Sequence, residues 1–254
     1  MLYLARDDRY MKKIGILKKI RRYPVKSMKG EDLKEVFVSY TGVRGDRIYA
    51  IVDENNKTNF PWLTARQKAE LLSFSPRFVS QIPDEKAFPE IDTYRVKVTV
   101  PEGDEYPVTS ELFHKYLCEK FEKNLHIRFS EKGMQDSRPV SLFGLSTLNE
   151  LSRETELDLD HKRFRANCYV EFDDTTPFYE DSLVGKNIQI GEKLQITISK
   201  KDVRCSIVTI DPESLVKNPS VLSTIVNKHD GAAGVYAVVL KEGIIHESDE
   251  LFLL

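Results

Sequence analysis

The feature that most constrains this chain is a series of short segments in which apolar residues alternate with polar or small ones. In the first of them, Ile14, Ile16 and Ile20 recur at the period of a half-buried strand. Similar segments follow, separated by turns that contain Gly, Pro or Asn. Strands outnumber helices, and they do not alternate with helices as they do in a parallel α/β sheet. The pattern therefore predicts an α+β protein that is predominantly β and barrel-like.

The predicted elements divide the chain into two halves. Strands are predicted at 14–20, 33–40, 47–53, 77–82, 94–100, 125–130, 169–172, 186–190, 194–199, 234–240 and 244–253. Helices are predicted at 64–72, after a cap at Thr109 or Ser110, within 141–155 and at 220–227. The polar stretch 131–136 predicts a boundary between a domain at 12–130 and a second at 131–254, preceded by an extension at 1–11.

Composition and charge exclude several classes of protein. A net charge of −2 leaves no electrostatic footprint for a nucleic acid. The apolar run 232–240 is too short to span a bilayer, so we expect no membrane segment. Asp7 and Asp8 near the start argue against a signal peptide. We therefore expect a cytoplasmic protein.

Cysteine and histidine spacing argue against the common small motifs. Cys118, Cys168 and Cys205 form no CxxC pair, and their odd number argues against a disulfide framework. The five histidines have no zinc-site spacing. No GxGxxG, P-loop or GxSxG motif occurs. The obvious single-motif enzymes are therefore excluded.

Cys205 follows Arg204 at the end of a β-rich run, and Asp211 lies a few residues beyond it. A thiolate is both a nucleophile and a soft metal ligand, and a neighbouring guanidinium favours the thiolate by charge. A half-buried strand cysteine that only packs is the commoner case. The segment by itself leaves both interpretations open.

Several polar residues occupy loops and strand ends where a core would not require them. They are Lys26, Ser27, Arg47, Arg165, Asn167 and Arg204. Residues two apart in an extended segment face the same side, so we expect Arg165 and Asn167 to point together. Positive charge combined with directional donors would suit a phosphate-bearing ligand. Each of these residues taken singly is more often a solvated surface group.

The motifs, in their order along the chain, resemble the MOSC family, named after the C-terminal domain of molybdenum cofactor sulfurases. Residues 23–27 (YPVKS), 45–47 (GDR) and 63–67 (LTARQ) resemble the N-terminal β-barrel region of these proteins. Residues 163–167 (RFRAN), 178–182 (FYEDS), 204–205 (RC) and 209–212 (TIDP) resemble the MOSC domain itself. The family includes the mitochondrial amidoxime-reducing components and their bacterial relatives. The resemblance covers the chain from about residue 12 to its end.

The resemblance implies a molybdenum cofactor and assigns roles to particular residues. Cys205 would be the protein thiolate on molybdenum. Asp211 would orient the cysteine loop or move protons. The residues implied to hold the pterin and its phosphate are Lys26, Ser27, Arg47, Ser146, Thr147, Arg165, Asn167 and Arg204. Ser146 and Thr147 lie at a predicted helix start, which is a favourable place for an anion.

The implied activity is reduction of N-hydroxylated or related N-oxygenated small molecules. The chain has no CxxxxCxxC iron–sulfur motif, so electrons would come from a separate protein of ferredoxin or flavoprotein type. Two alternatives stay open: a carrier of the cofactor or of sulfur without turnover, and a plain cysteine-nucleophile enzyme. Three positions depart from the family pattern, namely Val208, Ala166 and Ser248-Asp249.

Overall fold

The structure, a computed structural model, describes residues 11–79 and 95–254. The strands in these residues are β1 Lys12–Arg22, β2 Glu31–Leu33, β3 Glu35–Ser39, β4 Gly42–Val43, β5 Tyr49–Asp53, β6 Ser75–Phe78, β7 Val96–Thr99, β8 Glu105–Pro107, β9 Leu125–Phe129, β10 Val140–Gly144, β11 Cys168–Phe172, β12 Asn187–Ile190, β13 Leu194–Val203, β14 Ala232–Lys241, β15 Gly243–His246 and β16 Glu250–Leu253. The α-helices are α1 Glu111–Phe121, α2 Leu145–Thr155 and α3 Ser220–Lys228. The prediction of a predominantly β, barrel-type α+β fold is confirmed.

Seven strands close into a barrel in the order β1, β11, β10, β14, β13, β12, β16 and back to β1. All neighbouring pairs are antiparallel except β10 and β11, which are parallel. Closure satisfies the backbone groups that an open sheet would leave at its edges. The barrel interior is apolar, and it includes Ile188, Ile196 and Leu251, each fully buried.

β1 shows how the alternating pattern is realised and where it slips. Ile14, Leu17 and Ile20 face the barrel interior, whereas Ile16 is only half-buried. Register shifts in both pairings of β1 change the phase of the alternation, so that Leu17 replaces Ile16 in the core. Gly15 permits a close approach of β11, because a Cβ there would lie 2.6 Å from the carbonyl oxygen of Glu171.

The N-terminal half packs its own core around α1. Phe113, Leu117 and Phe121 recur at helical spacing and are buried against β5–β9 and the sheet β6–β7–β8. Ser110 is the N-cap of α1 and accepts a hydrogen bond from the Phe113 amide at 3.2 Å, as the sequence predicts. A third core lies between the outside of the barrel and helices α2 and α3.

Some predicted elements are wrong in kind or extent. Instead of an α-helix at 64–72, the chain forms a turn and the single-turn 3-10 helix Ala69–Ser73. The amide and hydroxyl of Thr64 both donate to Oε1 of Gln67, which closes a local turn there. The predicted strand 244–253 is two strands, β15 and β16, because the chain turns at Ser248 with φ 75°.

Some predicted elements extend beyond the described residues, and one strand of the barrel is not predicted from the sequence. The predicted strands at 77–82 and 94–100 correspond in part to β6 and β7, and residues 80–94 lie outside the described residues. The predicted extension 1–11 also lies outside them, except for Met11. β10 was missed because it runs straight into α2 without an intervening loop.

Strands from the two predicted domains pair with each other. The position of the domain boundary, between residues 130 and 131, stays a prediction. β1, from the first half, closes the barrel that the second half otherwise forms. β15, from the second half, pairs in turn with β3. The two halves therefore share strands, and the loops that follow β1 and precede β5 are brought against the end of β13. Among the described helices, none has the length and apolar character that crossing a bilayer requires.

Candidate functional site

A cavity of about 540 Å³ opens where the loops of the first half meet the C-terminal end of β13. Its lining combines eight cationic side chains with two carboxylates. The cations are Lys26, Arg47, Arg66, Arg138, Arg165, Lys200, Lys201 and Arg204, and the carboxylates are Asp136 and Asp202. This excess of positive charge in a concave site favours an anionic ligand.

The cavity brings together most of the residues that the sequence singles out. They come from segments far apart in the chain: Lys26, Ser27, Arg47, Arg165, Asn167, Arg204 and Cys205. Ser146, Thr147 and Asp211 do not line it. Seven of the ten candidate residues therefore share one wall, and three lie elsewhere.

Three of the lining residues have a left-handed backbone. Ser27, Arg47 and Arg165 have φ of 67°, 53° and 55°, a region that residues with a Cβ seldom adopt. Each such residue costs about 1 kcal/mol or more, and such residues concentrate at functional sites. Arg165 ends a 3-10 helix, His161–Phe164, instead of lying in a strand. The expectation of an extended segment at residues 165–167 is therefore wrong, although both side chains still reach the cavity.

Lys26 is buried in the wall, and its position is well defined. Its ammonium donates to the Met134 carbonyl at 2.7 Å and forms an ion pair with Asp136. Burial lowers the pKa of Lys26, the Asp136 carboxylate opposes that shift, and Arg47 and Arg165 add to it. Lys26 is thus a positive group in a partly desolvated place, where interactions with an anion are strong.

Tyr23 packs between two of the arginines. The guanidinium groups of Arg47 and Arg165 lie over its ring at 4.7 Å and 4.4 Å from the centroid, within range of cation–π attraction. The Tyr23 hydroxyl donates to the Ala166 carbonyl at 3.2 Å. Burial lowers the pKa of Arg165 to about 10, so its side chain is still a cation at neutral pH.

Buried donors without a protein partner show where a ligand could bind. Within residues 11–79 and 95–254, Nη2 of Arg165, Nε of Arg204 and Oγ of Ser137 are buried and have no hydrogen-bond partner. Nη1 of Arg165 donates to the Met28 carbonyl at 2.8 Å, which aims the guanidinium. Buried polar groups are normally satisfied, so unsatisfied donors in a cationic cavity fit an anion with several acceptor oxygens.

Cys205 is half-buried in the cavity wall and is the residue that precedes the single-turn 3-10 helix Ser206–Thr209. The guanidinium of Arg204 forms an ion pair with Asp202 and donates to the Phe164 carbonyl. In the part of the chain that the structure describes, no three His, Cys, Asp or Glu residues cluster as metal ligands. Cys205 can therefore serve as a metal ligand only for a metal that brings its other ligands with it.

Ser146 and Thr147 lie at the start of α2, as the sequence predicts, but a carboxyl group of the protein already occupies that helix end. The buried carboxylate of Glu180 accepts from the Gly144 amide at 3.1 Å and from the Thr147 hydroxyl at 2.9 Å. Ser146 donates to the Thr176 carbonyl at 3.5 Å. The protein's own carboxylate occupies the site where a cofactor phosphate was expected, so the position of these two residues does not support a cofactor role.

Asp211 forms a turn outside the cavity. It accepts hydrogen bonds from the amides of Glu213 and Ser214 and an ion pair from Arg163 at 2.9 Å. Arg163 also donates to the Val208 carbonyl at 3.2 Å, so the pair braces the segment after Cys205. These contacts support a role for Asp211 in orienting the cysteine loop and give no support to a role in proton transfer. These bonds and the Arg163 guanidinium also keep the pKa of Asp211 low.

Asn167 lines the cavity, and both ends of its side-chain amide hydrogen-bond within the protein. Its side-chain oxygen accepts from the amide and hydroxyl of Ser141, and its nitrogen donates to the Arg21 carbonyl at 3.2 Å. Asn167 therefore connects β1 and β10 beneath the cavity. Its contribution to the site is mainly to hold these two strands together.

The cavity residues that sequence reasoning did not assign to the site include Asp202 and Tyr236. Burial raises the pKa of the Asp202 carboxyl, while Arg204 and a hydrogen bond from Tyr236 oppose the rise. Asp202 could have been found from the rule that residues two apart in a strand share a face, because Arg204 follows it at that spacing. Tyr236 is 31 residues away from the cysteine and carries no such signal.

Comparisons with known proteins agree with this architecture. The family model described as MOSC domain matches residues 130–252, and the one described as MOSC N-terminal beta barrel domain matches residues 14–135. MOSC domains as a family are associated with molybdenum-cofactor binding. A search of curated proteins found no match.

Solved structures match this chain at low sequence identity, and the first of them shows the same fold. The YuaD protein from Bacillus subtilis is 14% identical with a TM-score of 0.51, over 96% of this chain and 97% of that one. YiiM from Geobacillus stearothermophilus is 18% identical with a TM-score of 0.37, over 46% of this chain and 54% of that one. With family models matching residues 14–252 between them, this chain is a MOSC-domain protein that carries the MOSC N-terminal β-barrel domain.

Proposed function

We propose that this protein is a molybdenum-cofactor-binding oxidoreductase that reduces N-hydroxylated or related N-oxygenated small molecules. The observation that carries the proposal is the half-buried thiol of Cys205 in a cationic cavity whose wall contains unpartnered guanidinium donors. In the overall reaction the N–O bond breaks, two electrons and two protons are taken up, and the amine-type product and water leave.

The cavity residues fit the proposed cofactor by their chemistry. Arg165 and Arg204 have buried N–H groups left over, and Ser137 has a buried hydroxyl, which together suit the oxygens of a pterin phosphate. Lys26 and Arg47 add positive charge held by ion pairs, and Ser27 follows Lys26 in the chain with a left-handed backbone. When bound, the molybdenum centre would supply two-electron oxygen-atom transfer, with the Cys205 thiolate as its protein ligand.

Asp202 is the protein group best suited to hold a proton near the cysteine. Its carboxyl lies in the cavity wall, burial raises its pKa, and Tyr236 hydrogen-bonds to it. Arg204 orients it through the ion pair. A proton held there is close to the cavity, whereas the carboxylate of Asp211 faces a turn.

We further propose that the electrons come from a separate ferredoxin- or flavoprotein-type partner.

The test combines metal content with turnover. The protein would be produced in a host that makes the cofactor, molybdenum per chain would be measured, and reduction of benzamidoxime by a chemical electron donor would be followed. We expect about one molybdenum per chain and measurable turnover. For Cys205→Ser we expect folded protein with turnover reduced at least about a hundredfold. Cys118→Ser, a half-buried helix cysteine outside the cavity, is the matched control.

Three outcomes discriminate the alternatives. Wild-type protein with bound metal and no turnover would support the carrier without catalysis. Metal-free protein with a thiol-dependent reaction would support the plain cysteine nucleophile. Unchanged metal content and unchanged turnover in Cys205→Ser would remove this residue from the mechanism.

A further inference from the structure

We propose that the substrate of this site carries a negatively charged group, which three cations at the mouth of the cavity recognise. The three, here called the rim cations, are Arg66, Arg138 and Lys200. They are solvent-exposed, unlike Lys26 deeper in the same cavity. This inference rests on the proposed function and specifies the class of substrate.

Among the described residues, the rim cations are exposed and lack a counter-ion, whereas the deeper cations are paired with carboxylates except for Arg165, which is half-buried and donates to the Met28 carbonyl. Lys26, Arg47 and Arg204 each form an ion pair, with Asp136, Asp46 and Asp202 respectively. Lys201, also at the cavity, is paired with Asp181 at 2.8 Å. Within residues 11–79 and 95–254, no carboxylate lies within ion-pair distance of a rim cation. Their charge is therefore available to a ligand that enters the cavity.

Two of the rim cations pack near aromatic rings of the cavity lining. The Arg66 guanidinium lies 4.8 Å from the centroid of the Phe60 ring, and the ammonium of the buried Lys26 lies 5.7 Å from the same centroid. The ammonium of Lys200 lies 5.8 Å from the ring centroid of Tyr236, another lining residue. The rim cations and Cys205 line the same cavity, so a ligand that fills it can contact both.

Unpaired positive charge around a concave entrance raises the local concentration of anions and steers them inward. The effect of exposed charges is screened beyond about 8 Å at physiological salt. An anionic group on the substrate is therefore recognised only if it lies near the rim while the N–O group lies near the cysteine. A neutral compound of the same shape gains nothing from these charges.

The experiment compares matched compounds on the cofactor-loaded protein. Benzamidoxime, its para-carboxylate analogue and its para-phosphonate analogue would be reduced with a chemical electron donor at low and high salt. We expect kcat/KM for the two anionic compounds to exceed that of the neutral compound about tenfold at low salt, and the ratio to shrink as salt is added. The phosphonate arm shows whether a doubly charged group is preferred over a carboxylate.

The variant Arg138→Gln/Lys200→Gln removes two rim charges. In this variant we expect kcat/KM for the anionic compounds to differ from that for the neutral compound by no more than about twofold. Lys193→Gln is the control, because Lys193 is exposed and lies just before β13, at the opposite end of that strand from Val203. Calorimetric titration of the para-carboxylate compound, without reductant, should show a parallel loss of affinity in the double variant alone.

The possible failures are distinguishable. No turnover of any compound would refute the proposed function, while the calorimetric titration still tests the rim. Equal kcat/KM for neutral and anionic compounds in the wild type would overturn this inference alone. A double variant that loses molybdenum would assign the rim to the cofactor instead. The double variant could instead turn over more slowly with a protein electron donor while its ratio of kcat/KM for anionic over neutral compounds stays unchanged. That result would assign the rim cations to docking of the electron donor.

Discussion

Arg47 and Arg165 place two positive charges against one aromatic ring inside the protein, an arrangement that like-charge repulsion opposes. The Tyr23 ring offsets this repulsion by presenting its π-face to both guanidinium groups. Asp46 pairs with Arg47, whereas Arg165 has no carboxylate partner among the described residues. The residue that most needs an external anion is therefore Arg165, and Tyr23 is the residue that positions it.

The Tyr23 ring can be tested separately from its hydroxyl. Tyr23→Phe keeps the π-face and loses only the bond to the Ala166 carbonyl, so we expect molybdenum content within about twofold of wild type. Tyr23→Leu removes the cation–π attraction, which is worth about 1–2 kcal/mol where it is desolvated, and should lower molybdenum content and pyrophosphate affinity about tenfold. Metal analysis and calorimetry on the folded fraction check this. Equal behaviour of the two variants would mean that the ring does not position the arginines.

At the scale of elements, α2 depends on a residue that lies outside the helix. The N-cap position, Gly144, has no side chain to cap the helix. Glu180, from the 3-10 helix Tyr179–Leu183, supplies the missing acceptors for the Gly144 amide and the Thr147 hydroxyl. The FYEDS motif of the sequence analysis therefore contributes to the fold at this position, because its glutamate caps a helix.

Removing the Glu180 carboxylate should destabilise the protein in a pH-dependent way. Glu180→Ala leaves two buried donors without partners, and we expect a loss of roughly 2 kcal/mol of unfolding free energy. Burial raises the pKa of Glu180 above its usual 4.5, so above that pH the folded state keeps a proton that the unfolded state has released. The contribution of this group to stability therefore falls as pH rises through that window.

Urea denaturation from about pH 5 to about pH 7.5 measures this slope. In Glu180→Gln the side chain has no ionisable proton, so the unfolding free energy of this variant should lack this part of the pH dependence. Glu171→Gln is the control, because Glu171 is exposed on β11 and forms a surface ion pair with Lys18. Identical pH profiles for wild type and Glu180→Gln would contradict the assignment.

At the scale of the whole molecule, β1 is the element that joins the two halves. It pairs with β11 and β16, so a fragment that contains only the second half would have an open barrel with two unpaired edges. Such edges expose both hydrogen-bonding groups and the apolar interior. We expect a fragment of residues 131–254 to aggregate or to unfold without cooperativity.

Returning β1 to this fragment should restore the barrel. Lys12 pairs with Leu253, so the end of β16 lies beside the start of β1, and a short Asn-Gly turn can connect residue 254 to residue 11. We expect the fused fragment to unfold cooperatively in a thermal circular-dichroism scan. A fusion with Ile14, Leu17 and Ile20 replaced by Ser is the control. Equal cooperativity of the bare and fused fragments would show that β1 is dispensable.

Local features of the sequence predict much of the secondary structure, because they act over a few residues. The strand β1, the N-cap of α1 at one of two predicted positions and the turn between β12 and β13 are all local, and each element forms in the predicted place even though the alternation within β1 changes phase. The failures are also local in origin. Side-chain bonds at Thr64 and the turn at Ser248 redirect the backbone in ways that apolar periodicity does not register.

The fold class, the family and the kinds of group available to a site can be read from the sequence, because they follow from local periodicity and from motif order. Which of these groups converge is visible in the folded chain and not in the sequence. Lys26, Arg165 and Cys205 meet because a barrel closes with a strand from the other half, whereas Thr147 is taken by Glu180. The physical reason is that spacing along a chain records which face a residue is on, and does not record which distant segment packs against that face.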